Sequence, residues 1–239
     1  MGMQTAPSND QQLRTLVVGL GATGLSVARY LSAQGVRVAI TDSREDPPGL
    51  QQLQAEYPDL AVFLGGFDEA VFAQADLLVL SPGVPLATPQ VRAAQQRGIT
   101  VLGDIELFAL AARAPVVAIT GSNGKSTVTT LVGEMARAAG RRVAVGGILG
   151  TPALDLLDDA VELYVLELSS FQLETTHSLR AAVATVLNVQ ADHLDRYPDV
   201  ETYAAAKSVV LRGAGLGVYN ADDPRVMGMG GSDDAWFFT

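Results

Sequence analysis

The sequence has no cysteine and only two histidines, His177 and His193. The first absence excludes a disulfide framework, thiolate catalysis and cysteine-based zinc sites, and is compatible with a reducing cytosol. The second leaves too few imidazoles for a multi-histidine metal cluster. Basic residues are also scarce: 16 against 26 acidic ones, in a chain of 239, give a formal charge of −10. Such a chain repels phosphodiester backbones and anionic bilayers, so neither a nucleic acid nor a membrane is expected as a partner. A phosphorylated ligand then needs a local device. Long apolar runs are missing too, because Gly, Arg, Asp and Gln interrupt every stretch short of the roughly 18 to 20 residues that span a bilayer. Residues 1–12 lack the basic start and apolar core of a signal peptide, and read as a flexible tail on a cytoplasmic protein.

Apolar residues make up 48% of the chain, enough to bury real cores, most naturally in two domains. From Thr15 onward, short β-branched runs alternate with amphipathic segments: 16–18, 24–33, 36–41, 77–80 and 99–102. That alternation predicts an α/β fold with a parallel sheet covered by helices. A second series opens at Pro115 with strands over 115–119, 142–145, 163–167, 182–189 and 215–219, and helices over 126–139 and 200–210. The boundary is expected near 103–113. The last residues, 235–239, resemble the start of one more strand with nothing to pair against.

The strongest local signal is Thr120-Gly121-Ser122-Asn123-Gly124-Lys125-Ser126-Thr127, between an apolar strand and an amphipathic helix. A phosphate loop belongs there. Successive backbone N–H groups and a helix N-terminus offer positive potential to phosphate oxygens; Lys125 can reach the terminal phosphates and the Ser126 hydroxyl can ligate Mg²⁺. Ile119 stands where the strict phosphate-loop pattern has its first glycine.

A second glycine pattern, Gly19-Leu20-Gly21-Ala22-Thr23-Gly24, follows the first strand, and Asp42 ends the next one. This is a dinucleotide-type fingerprint that makes the first domain Rossmann-like: the turn receives phosphate and the acid receives a ribose or ring donor. It leaves a nicotinamide-dependent oxidoreductase open as an alternative. Ser81-Pro82-Gly83 falls on the same carboxyl edge, and Arg44 could pair with phosphate. In the second series, Glu167 and His193 each follow a predicted strand and could converge on a Mg²⁺-nucleotide. Structural turns and surface packing would explain both equally well. Lys207 lies on a predicted helix, where a lone lysine is usually solvated.

Three stretches, T-G-S-N-G-K-S-T, E-L-S-S-F-Q-L-E and L-N-V-x-x-D-H-L-D-R-Y, resemble the Mur ligases. Gly103 to Phe108 and Glu167 to Glu174 resemble the branch that adds D-glutamate to UDP-N-acetylmuramoyl-L-alanine. The resemblance implies a Rossmann-like domain over 13–103 that holds the UDP end of the substrate through Thr23, Asp42, Ser43, Arg44, Ser81, Pro82 and Gly83. It implies a central ATP-binding domain over 104–239, incomplete here, with Gly121, Ser122, Asn123, Gly124, Lys125, Ser126 and Thr127 around ATP. Lys125, Glu167, His193 and Lys207 would serve catalysis. Ser126, Glu167, His193 and a carbamylated Lys207 would hold magnesium, and the reaction would run through an acyl phosphate in peptidoglycan precursor synthesis. A C-terminal amino-acid-binding domain is then expected to be missing, so the chain is expected to be an inactive fragment of a protein that is a monomer at full length; a non-catalytic nucleotide-binding fragment is the competing reading. Ile148 stands where the resemblance expects Asn.

Overall fold

The computed structural model describes residues 13–148, 150–232 and 234–239; the expected tail lies outside the described residues. The chain divides into two compact units, one ending at Leu102 and the next beginning at Gly103.

The first unit runs β1 (Arg14–Val18), α1 (Ala22–Ala33), β2 (Arg37–Thr41), α2 (Leu50–Glu56), β3 (Ala61–Phe63), α3 (Glu69–Ala73), β4 (Leu77–Leu80), α4 (Pro89–Gln96) and β5 (Thr100–Gly103). The strands form one sheet in the order β3-β2-β1-β4-β5. Leu16, Val17 and Val18 are all buried, as a central strand covered on both faces must be. Leu16, Val18, Leu78 and Leu80 pack on Phe72, Val91 and Ala94, which come from α3 and α4. Local chemistry starts these helices: the Asp68 carboxylate accepts the Ala70 N–H at 2.8 Å, and Pro89 opens α4 where its missing N–H costs nothing. Val18 registers with both Thr41 and Leu80. The glycine turn after β1, Asp42 after β2 and Ser81 after β4 therefore share one edge, at the point where the strand order reverses, which is where open α/β sheets bind ligands.

The second unit runs α5 (Asp104–Ala111), β6 (Val116–Thr120), α6 (Lys125–Ala138), β7 (Val143–Gly147), β8 (Leu163–Glu167), α7 (Ser170–Leu173), β9 (Val183–Val186), α8 (Val200–Ser208), β10 (Leu216–Asn220), α9 (Pro224–Met227) and β11 (Ala235–Phe238). Its sheet order is β11-β10-β9-β6-β8-β7. Two expectations change here. The final strand has a partner: β11 runs parallel to β10, with Gly217 opposite Ala235 and Asn220 opposite Phe238. One turn of helix, α9, capped by Asp223, is enough to carry the chain back. The strand expected over 182–189 stops at Val186, and residues 187–190 leave the sheet to pack on the loop after β6.

Candidate active site

Gly121 and Gly124 shape the turn between β6 and α6. Their φ angles are 156° and 81°, and Gly124 is the left-handed N-cap of the 14-residue helix α6. A Cβ on Gly121 would lie 3.0 Å from Leu187 Cβ, so the loop and segment 187–190 pack backbone against backbone. Asn188 holds Asn123 at both main-chain groups: its Oδ1 accepts the Asn123 N–H at 2.9 Å and its Nδ2 donates to the Asn123 carbonyl at 3.0 Å. The Ser122 N–H donates to the Asn188 carbonyl at 3.0 Å. Gln190 adds its own N–H to Ser122 Oγ at 3.0 Å and accepts from Asn123 Nδ2 at 2.9 Å. The N–H groups of Ser122 and Asn123 are thus already spent. The first-turn N–H groups of Lys125, Ser126 and Thr127 have no intrahelical acceptor and sit at the positive end of the helix dipole, an arrangement that suits an anion. Lys125 Nζ folds back onto the Ser122 carbonyl at 3.1 Å.

Glu167 ends β8, opposite Ile119 of β6, and is buried. Its Oε2 has no hydrogen-bond partner. Gly147, at φ 106°, lets β7 close on it: a Cβ there would lie 2.3 Å from the Glu167 carbonyl, which accepts the Ile148 N–H at 2.9 Å. His193 has a φ of 52°, the one positive value outside glycine among the described residues. Its ring lies 4.8 Å from Phe171 and 6.0 Å from Tyr203. Arg196 stacks on the same Phe171 ring at 3.9 Å and pairs with Glu174 at 2.8 Å. The described residues contain no cluster of three acidic or histidine groups spaced to hold a metal by themselves.

Lys207 departs most from expectation. It is 1% exposed, not solvated, and donates to the Gly121 carbonyl at 2.9 Å while lying 4.5 Å from the Tyr203 ring. Burial pulls its pKa down to about 7, and the nearby Lys125 charge adds to that against a smaller pull from Asp192. Tyr203 itself was missed. Its hydroxyl lies 3.4 Å from Ser122 Oγ, and its spacing of four from Lys207 on one helix face was the available signal.

Two further carboxylates anchor the segment after β8. Gln172 closes a capping box with Ser169 and also donates to the buried Asp104 at 2.8 Å. Burial pushes the Asp104 pKa up to about 6 against that bond, and its Oδ1 has no partner. Glu106 Oε2 accepts the N–H groups of His177 and Ser178 at 2.6 and 2.8 Å.

In the first unit, Gly24 fits only as glycine, since a Cβ would lie 1.9 Å from the Gly19 carbonyl. Ser81 Oγ donates to that carbonyl at 2.8 Å. Asp42 does not offer a free acceptor to a ribose. Oδ2 accepts from Leu20 N–H and Arg44 Nη2, both at 2.7 Å; Oδ1 accepts from Arg44 N–H and Nε, both at 2.9 Å. Burial pushes its pKa up, but the Arg44 side chain and these N–H groups outweigh that and hold it at about 2. Thr23 and Pro82 are half-buried beside this edge, and Ser43, Arg44 and Gly83 are exposed on it.

A glycine-bounded loop with a lysine at its helix end, following the strand that pairs with the one ending in an unsatisfied buried carboxylate, defines an α/β protein with a candidate phosphate site. Comparison with known proteins narrows the class. Residues 13–103 match the Mur ligase MurD-like N-terminal domain, and residues 119–235 match the Mur ligase middle domain. The chain is 62% identical over 210 residues to the UDP-N-acetylmuramoylalanine--D-glutamate ligase of Marinobacter nauticus, covering 88% of this chain and 47% of that protein. It is 58% identical over 218 residues to the ligase of the same name from Methylobacillus flagellatus, covering 90% and 48%. Among solved structures, the UDP-N-acetylmuramate:L-alanyl-gamma-D-glutamyl-meso-diaminopimelate ligase from Neisseria meningitides aligns with a TM-score of 0.64 at 19% identity, covering 95% of this chain and 78% of that one. The UDP-N-acetylmuramate-alanine ligase from Thermotoga maritima gives 0.56 at 20%, covering 95% and 53%. These two show the fold alone. The chain belongs to the Mur ligases, carrying their N-terminal and middle domains, and spans about half the length of the relatives from Marinobacter and Methylobacillus. No helix among the described residues is long and apolar enough to cross a membrane.

Proposed function

We propose that this chain provides the UDP-substrate and ATP-phosphate sites of a cytoplasmic, monomeric ligase that joins D-glutamate to UDP-N-acetylmuramoyl-L-alanine in peptidoglycan precursor synthesis. The observation that carries the reading is the loop 121–127. Its open N–H groups and Lys125, with Lys207 on the Gly121 carbonyl and Glu167 ending the neighbouring strand β8, make up the phosphate-handling site of this reading. In the reaction, the alanyl carboxylate takes the terminal phosphoryl group of ATP with loss of ADP. The amine of D-glutamate then attacks the acyl carbon, forming the amide and expelling phosphate as the amine sheds its proton. Both steps bring anions together, so the chain's task is positioning and charge neutralisation, by Lys125 and the start of α6.

Magnesium fits the residues present. Glu167 Oε2 is a buried oxygen without a partner, and oxygen ligands suit a cation that takes most of its shell from phosphate and water. Glu167, His193 and Ser126 would hold it, supplying charge neutralisation between the phosphates. Lys207, with its pKa pulled down to about 7, carries a substantial share of uncharged amine at neutral pH, which an ordinary lysine does not. Its nitrogen can add to carbon dioxide with loss of a proton, and the resulting carbamate would be an anionic oxygen ligand. In the first unit, Thr23, Ser43, Arg44, Ser81, Pro82 and Gly83 would border the UDP moiety, with Asp42 orienting Arg44. The four donors already on Asp42 weigh against a nicotinamide dinucleotide. Ile148 is 44% exposed after β7, and nothing in the structure explains it in place of an amide side chain.

Calorimetry with UDP-N-acetylmuramoyl-L-alanine, using NADH as control, tests the reading. Saturable binding of the UDP compound and none of NADH is expected. Binding of NADH alone would overturn it.

A further inference from the structure

Segment 187–190 touches two parts of the site at once. On one side it carries the paired amide contact of Asn188 with Asn123, the Ser122 N–H on the Asn188 carbonyl, and the Gln190 contacts. On the other it is fixed to the sheet. The Leu187 N–H donates to the Thr120 carbonyl at 2.9 Å, Asn220 Nδ2 donates to the Leu187 carbonyl at 2.8 Å, and the Val189 N–H donates to Asp223 Oδ2 at 2.7 Å. The chain then runs through Asp192 directly into His193, whose left-handed backbone sets where its ring points.

We infer that Asn188 is a positioning residue that makes the phosphate loop and His193 one mechanical unit. The inference rests on the reading of loop 121–127 as the nucleotide-phosphate site. The physical reason lies in the form of the contact. A side-chain amide that accepts from the N–H and donates to the carbonyl of one residue imitates a β-bridge, so Asn123 cannot rotate without losing both bonds. The close backbone approach at Gly121 leaves no room to absorb a shift of the loop between it and Leu187. A phosphate that draws the loop toward itself must therefore displace segment 187–190. Because the sheet side of that segment is pinned by Asn220 and Asp223, the displacement is delivered forward, to His193. Asn188 touches neither the nucleotide nor a metal in this account.

The chain's two histidines make the test direct. His177→Gln assigns the imidazole proton signals, and the Phe171 ring 4.8 Å from His193 makes its signal sensitive to small displacements. ADP without a divalent metal is the probe, so that a shift cannot come from ligation. The native chain is expected to bind ADP and to shift the His193 signal while His177 stays in place. Asn188→Ala is expected to weaken ADP about tenfold and to abolish the His193 shift at saturating ADP. Asn188→Asp keeps the acceptor for the Asn123 N–H but loses the donor, and falls between the two; it carries the test if circular dichroism shows the alanine variant unfolded. Native ADP affinity and a native His193 shift in these variants would overturn the coupling. ADP binding by the native chain with an unmoved His193 signal would overturn it too. Failure of the native chain to bind ADP at all would overturn the reading of the loop, and the coupling with it.

Discussion

The two glycine turns of this chain resemble each other in sequence and differ in where their hydrogen-bond capacity goes. In the first unit, Asp42 is closed by Leu20 and Arg44, and the turn is braced by Ser81, so the group left facing outward is the half-exposed Arg44 guanidinium. In the second, the loop is gripped by Asn188, Gln190 and Lys207 from behind, and the first turn of α6 is left open. A glycine pattern thus fixes only the close approach of backbone. Which ligand it takes depends on the side chains that use up or leave open the nearby donors and acceptors.

The largest effect should come from removing the charge at the open turn. Lys125→Ala should weaken ADP binding roughly 100-fold, read by calorimetry, and leave the UDP compound unaffected. Equal loss of both ligands would break the distinction between the turns. Next, Arg44→Ala should weaken the UDP compound by roughly tenfold, with ADP unchanged, since only the first unit depends on it. The two buried aspartates sharpen the contrast through pH. The native Asp42 pKa of about 2 lies below the ordinary value of about 4, so its stabilisation is full above about pH 4 and is lost as pH falls toward 2. Asp104 behaves oppositely. Its native pKa of about 6 means the folded state holds a proton that the unfolded chain gives up, so stability declines as pH rises from about 4 to 6 and stays lower above. Asp104→Asn should remove that decline and stabilise the second unit at pH 7 by on the order of 2 kcal/mol, measured by denaturant melts. The smallest effect is expected for Ile148→Asn, an exposed change worth within about 0.5 kcal/mol of stability.

Much of the fold is visible in the pattern of apolar runs. The strands at 77–80 and 163–167 lie where buried β-branched and leucine runs place them, and the loop 120–127 lies between strand and helix as its glycines demand. Short elements were not visible. β3 has three residues, two of them exposed, and α7 and α9 are single turns that depend on Ser169 and Asp223 caps. The partner of β11 was hidden for the same reason, because Gly228, Gly230 and Gly231 obscure the crossover. Residue types of the candidate site were readable, but their states were not. Lys207 looks like a surface lysine until α8 packs it under Gly121, and Asn188 looks like a strand-end polar residue until its amide meets Asn123. Both facts are tertiary, and no local period encodes them.

Amide hydrogen exchange of the chain with each ligand in turn is the most direct test of the difference between the turns. The account predicts that UDP-N-acetylmuramoyl-L-alanine slows exchange at 19–24, 42–44 and 81–83 only, and ADP at 124–127 and 188–193 only. Protection of 19–24 by ADP, or of 124–127 by the UDP compound alone, would contradict it.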